Sequence, residues 1–220
     1  MREIKMEIHA YDDSYVESAQ NILGHMFDFG INEVGLEPQE LVERFFVSDC
    51  SKQFEIGNPR FVAGLTGPEL ARKVLEETGY LKEIPDDVMY IDRSPEYWAG
   101  WVMAYLQWCK DASFASLFEA MDIEYVLKLY PTYHEMDISK FIDLAKERYV
   151  ERFPSTALKR YRELLQMSQR ELANESGVPL RQIQMFEQRQ RDINKTSAET
   201  LLRLSKALHI SMEHLMEKFT

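Results

Sequence analysis

The sequence predicts an all-α protein that ends in a five-helix domain, and three observations carry this reading. Apolar residues recur three and four apart along most of the chain, the period of helices with one buried face. Residues that start and stop helices fall between those runs rather than inside them. The 220 residues are 45% hydrophobic and 12% aromatic, enough apolar surface for packed cores without a stabilising cofactor.

Tyr15, Ala19, Ile22, Met26 and Phe29 make the first stripe, Leu41, Val42, Phe45 and Phe46 the second, and Leu70, Ala71, Val74 and Leu75 the third. The third is bounded at both ends. Thr66 and Glu69 have the spacing of a capping box, and Gly79 can adopt the left-handed conformation that closes a helix. Ser94 and Pro95 offer a cap and a first-turn proline for a helix running to about Trp108. Ile123, Val126, Leu127 and Tyr130 follow, with a stop expected at Pro131, and then Ile138, Phe141, Ile142, Ala145 and Tyr149. Two short stretches depart from the helical period. Ile4, Met6 and Ile8 alternate with charged residues, and 88–91 is β-prone, so a short two-stranded ribbon is allowed there.

The pattern breaks at Pro154, and the charge balance changes sign at the same place. Residues 155–220 hold 11 Lys+Arg against 8 Asp+Glu, a net of +3, which leaves 15 against 29, or −14, for the preceding chain. The expected organisation is therefore a larger, acidic, mostly helical domain over 1–153 and a mildly basic domain over 154–220. The acidic part should avoid a phosphate backbone and take a protein partner or a small effector instead.

Within the second domain, Leu158, Tyr161, Leu164 and Leu165 give an amphipathic first helix, and Ser168 with Glu171 forms a capping box opening a short second one that stops at Gly177. A third begins almost at once. Ile183 and Phe186 supply its buried side, which leaves Arg181, Gln184, Met185 and Gln188 as an exposed row at helical spacing. Long side chains with hydrogen-bonding ends suit a major groove: Arg can pair with guanine, Gln with adenine, and Met can touch a thymine methyl. Thr196 and Glu199 look like another capping box, for a helix through Leu208, and Ser211 is placed to cap the last helix.

The segments MSQRELANESGVPLRQIQMFEQR and LLRLSKALHISMEHLM resemble the Cro/repressor-type, or xenobiotic-response-element, family of helix-turn-helix regulators, whose pattern runs LSQxELAxxxGVSxxxIxxxExG. The resemblance implies a DNA-binding transcriptional regulator, a repressor in the first instance. It places Gln169 against a phosphate or base edge and Leu180, Arg181, Gln182, Gln184 and Met185 toward the groove, with helix 179–189 as the reading helix. Arg191 and Lys195, in the loop beyond, are candidates for the DNA backbone, and the architecture implies a homodimer on inverted half-sites. The alternative reading is an antitoxin whose N-terminal domain neutralises a toxin while the helix-turn-helix autoregulates the operon. Two positions depart from the family. Pro179 stands where a Ser or Thr cap is usual, and Arg189 replaces the glycine that commonly ends the third helix.

Other side chains have structural readings. Glu187 is expected to be an intradomain partner, Arg160 and Arg162 a solvated helix face, and Gln182 either a shoulder residue or a contact. Trp98, Trp101, Tyr105 and Trp108 lie along one stripe and read as core. Gly57, Pro59, Gly64 and Gly67 are turn signals without phosphate-loop spacing. The five histidines are scattered, Tyr133 and His134 have no evident carboxylate or nucleophile beside them, and Cys50 and Cys109 are far apart, so no metal, cofactor or catalytic role is expected. No window is apolar and long enough to cross a membrane, and the N-terminus lacks a signal-peptide pattern, which points to a cytoplasmic protein.

Overall fold

The computed structural model describes residues 9–86 and 93–219, and among these there is no strand. The segments considered for a ribbon, Ile4 to Ile8 and 88–91, lie outside the described residues. The chain divides into two compact units, Met1–Tyr149 and Val150–Thr220.

The first unit contains α1 (Val16–Asp28), α2 (Pro38–Val47), α3 (Asp49–Glu55), α4 (Pro59–Val62), α5 (Gly67–Glu77), α6 (Pro95–Lys110), α7 (Phe114–Ala120) and α8 (Ile123–Tyr133), and α9 (Ile138–Arg152) follows. Its centre is the packing of α1 on α6. Leu23, Met26 and Phe27 of α1 and Val102, Met103 and Leu106 of α6 are essentially inaccessible. The two helices approach closely because glycines face the crossing. A Cβ on Gly100 would run into the Leu23 carbonyl, and one on Gly24 would come within 2.8 Å of the Tyr97 ring. Phe45, Phe54 and Phe114 stack edge to face beside this layer, with ring centroids 4.9 to 6.5 Å apart. The helix limits follow the sequence signals at Thr66, where both halves of the capping box form, and at Ser94, whose hydroxyl accepts from the Tyr97 N–H.

Pro131 does not stop its helix. It lies inside α8, which continues to Tyr133. A proline this near a helix end forfeits only one backbone hydrogen bond, and the chain here is exposed. Along α6, Trp98 and Trp108 are core, and the Trp108 indole N–H donates to the Tyr11 carbonyl at 2.8 Å, whereas Trp101 and Tyr105 are half-buried.

The second unit contains α10 (Ala157–Leu164), α11 (Gln169–Ser176), α12 (Leu180–Glu187) and α13 (Ala198–Leu208), with single 3-10 turns at Ile193–Lys195 and Met212–Leu215. Leu158, Leu172, Ile183, Phe186, Leu204 and Leu208 form its core. The expected fifth helix is thus a single turn, and the Ser211 hydroxyl lies 3.1 Å from the His214 ring instead of capping it. Ser197, not Thr196, caps α13. Leu164 and Leu165, read as part of the buried stripe, are 71% and 44% exposed. The helix ends at Leu164 and Gln166 turns left-handed (φ 55°), so the chain leaves before either side chain reaches the core.

Candidate nucleic-acid interface

α11 and α12 form two short arms around one tight turn. Ser168 starts the first arm: its Oγ accepts from the Glu171 N–H at 3.1 Å, and the Glu171 carboxylate accepts from the Ser168 N–H at 2.7 Å. The bond from the Ser168 N–H, with the Ser168 hydroxyl beside it, holds the Glu171 carboxyl below its usual pKa range. Gly177 ends the arm in the left-handed region, φ 66°, its N–H donating to the Ala173 carbonyl. The Ser176 hydroxyl then donates to the Leu172 carbonyl at 2.6 Å and accepts from the Val178 N–H at 3.2 Å, which closes the turn with no buried donor left over. Pro179 begins α12 without a side-chain cap.

Ile183 and Phe186 anchor the back of α12 in the core. With that face fixed, Arg181 and Gln188 project into solvent and Gln184 and Met185 sit half-exposed between them, so the row read from the spacing exists as an accessible surface. Leu180 is half-buried. Gln182 is tied by its amide to the Thr196 hydroxyl at 3.3 Å, which makes it a strut to the following loop. Arg191 is exposed, with its guanidinium over the Phe186 ring, and Lys195, also exposed, pairs with Asp192 at 2.9 Å.

Behind the row lies a buried polar network. The Arg162 guanidinium donates to both oxygens of Glu187, at 2.6 and 2.9 Å, and to the Met167 carbonyl at 2.7 Å. Arg162 is 8% and Glu187 9% exposed. This corrects the expectation that Arg162 belongs to a solvated face, while Arg160 is exposed as expected. A signal was available: Arg162 follows core Leu158 by four residues and Glu187 follows core Ile183 by four, which puts both on buried faces. Gln169 joins the network, donating from Nε2 to Glu187 at 2.8 Å. Its amide nitrogen is therefore committed inside the domain, and its carbonyl oxygen is the end left to face outward. The pair links α10, the start of α11 and the end of α12.

The C-terminal end of α12 is held separately. Arg189, in the glycine position, takes the left-handed conformation, φ 52°. Its guanidinium donates to the carbonyls of Pro154, at 2.6 Å, and Phe153, at 3.0 Å, and lies 3.5 Å from the Glu217 carboxylate.

Residues 158–215 match the helix-turn-helix family. No curated protein and no solved structure matches the chain. The helix-turn-helix domain accounts for the second unit: it is a DNA-binding module of the Cro/repressor type, with α11 and α12 as its two arms. Arg170, exposed beside Gln169 on the first turn of α11, was not singled out by the sequence reading. Among the described residues no helix is long and apolar enough to cross a membrane, and no group of His, Cys, Asp and Glu could hold a metal ion.

Proposed function

We propose that the protein is a transcriptional repressor that binds operator DNA as a homodimer, each copy laying α12 in a major groove. The observation that carries this reading is the accessible row Arg181, Gln184, Met185 and Gln188 on a helix whose opposite face is locked by Ile183, Phe186 and the Arg162–Glu187 pair. Arg181 and the two glutamines supply base-edge hydrogen bonds, Met185 supplies apolar contact, and Leu180 lies at the margin. Arg191 and Lys195 take the DNA backbone, joined by Arg170, while the outward carbonyl oxygen of Gln169 can accept from an amino group on a base edge. One α12 covers too few base pairs to discriminate within a genome, so two copies would read inverted half-sites about one helical turn apart.

Selection against a randomised operator library tests this. Arg181→Ala is expected to lose discrimination at one symmetric base-pair position, by about 1–3 kcal/mol per half-site. Arg191→Ala should instead weaken all sequences alike and lower the salt slope by about one. Unchanged base preference in Arg181→Ala would take α12 out of the groove.

A second reading draws on the surplus of 14 negative charges before residue 155. That surplus favours a basic protein partner by electrostatic steering, the arrangement an antitoxin would have. A basic toxin encoded beside this gene, bound at a rate that falls steeply with salt, would establish that role.

A further inference from the structure

A cavity of about 370 Å³ opens in the first unit between α6, α8 and the start of α9. Close-packed interiors leave few voids larger than a water molecule, whereas small-molecule sites start at roughly 300 Å³. Its walls are aromatic. Trp98 stands edge to face against Tyr130, at 5.7 Å, and against Phe141, at 5.8 Å, and Tyr97 and Trp101 complete the α6 side. Trp101 and Tyr133 are only half-buried and Met136 is 47% exposed, so the space reaches solvent on one side.

The charged groups in the lining are all basic. Arg93 lies with its guanidinium over the Tyr97 ring, 5.1 Å from the centroid, and makes no hydrogen bond or ion pair among the described residues. Stacking on the ring face leaves the in-plane N–H edge of the guanidinium open, the edge that pairs with a carboxylate. His134, stacked on Tyr130 at 4.5 Å, is the other basic group. Of the neighbouring carboxylates, Asp28 and Glu96 are engaged by side chains outside the lining, whereas Glu135 sits beside the lining residue His134. Asp28 accepts from Ser94 and Asn32, Glu96 accepts from Asn32, and Glu135 lies 3.7 Å from His134. An aromatic box with acids in its wall would select a cation. This one, with the Arg93 guanidinium at its edge unpaired among the described residues, has the opposite preference.

We infer that this cavity is a binding site for a small planar aromatic carboxylate, its ring against the aromatic wall of Trp98, Trp101 and Tyr130 and its carboxylate on Arg93. The site lies wholly in the first unit and stands independently of how the second unit engages DNA.

The experiment is a calorimetric titration of the full chain with three probes of one shape: 1-naphthoate, the neutral 1-naphthylmethanol and the cationic 1-naphthylmethylammonium. Naphthoate is expected to bind one equivalent and to bind about tenfold more tightly than the ammonium probe. Arg93→Gln, at an exposed non-helical position, should cut the preference for naphthoate over the alcohol by about three- to tenfold, the lower end reflecting solvent screening, and leave the alcohol's own affinity unchanged. Trp101→Ala should weaken all three. Failure of every probe to bind, tighter binding of the ammonium probe, or an unchanged preference in Arg93→Gln would each overturn the assignment.

Discussion

Breaking the Arg162–Glu187 pair is expected to unfold much of the helix-turn-helix domain, while replacing both partners is not. The side chains are 10% and 3% exposed, so neither charge can be rescued by water if its partner is lost. Stranding one member of such a pair costs about 3–5 kcal/mol. The unit Val150–Thr220 can be expected to hold only about 4–10 kcal/mol of stability at ordinary values per residue. Arg162→Met or Glu187→Leu alone should therefore remove a large part of it. The double variant discards both desolvation costs and fills the space with apolar atoms, and should be more stable than either single variant, with a coupling of at least about 2 kcal/mol. Urea titration of the full chain separates the units. The three tryptophans, Trp98, Trp101 and Trp108, all lie in the first unit, so their emission follows that unit while far-UV circular dichroism reports both. The dichroism transition of the second unit should shift and the tryptophan transition should stay. Single-variant losses below about 1 kcal/mol, or costs that simply add in the double variant, would refute the claim that the pair is a coupled buried unit.

Gly177→Ala meets nothing closer than the Arg203 side chain at 3.7 Å, yet φ is 66°, so the cost is conformational. A loss of about 1 kcal/mol in the same titration is expected, and no loss would show that the turn does not need its left-handed residue. Cys50 is buried, which together with the Glu77 carboxylate 3.3 Å from Sγ pushes its thiol up to about 12, whereas Cys109 is partly exposed. Iodoacetamide at neutral pH should add one label to the native protein, at Cys109, and a second only in urea, as counted by intact mass; fast native labelling of Cys50 would contradict its burial.

What was legible in the sequence was local. Helical period and paired cap residues act within four residues of each other, so the boundaries at Thr66, Ser94 and Ser168 could be read directly. Where two local readings were equivalent, the sequence could not choose. Thr196 with Glu199 and Ser197 with Thr200 have the same spacing, and the decision falls to Ser197 because the turn Ile193–Lys195 uses Thr196 as its last residue. The exposed row on α12 was legible for the same reason, since Ile183 and Phe186 fix the opposite face. The network behind it was legible only in part: the four-residue spacing from Leu158 and Ile183 puts Arg162 and Glu187 on buried faces, but the two are 25 residues apart and nothing local pairs them with each other. Nor could the aromatic stripe of α6 reveal a cavity, which depends on α8 and α9 standing off from it.

The departure at Arg189 shows how one position can serve two ends. A left-handed non-glycine residue costs about 1–2 kcal/mol, which glycine would avoid. Glycine, however, would leave the C-terminal end of α12 without its side-chain ties to the carbonyls of Phe153 and Pro154. The same neighbourhood is closed by Glu217, whose carboxylate accepts from the Ala157 N–H at 2.6 Å and whose backbone exchanges two bonds with the Asn194 side chain, at 2.7 and 3.0 Å. The end of α12, the start of α10 and the C-terminal segment are thus bound to one another through Arg189, Asn194 and Glu217. Together with the Gly177 turn at one end and Glu187 in the last turn, these ties leave α12 little freedom to tilt. On the proposed reading, long side chains such as Arg181 and Gln188 do the adjusting on a backbone that stays in place, and less ordering remains to be done when the helix meets DNA.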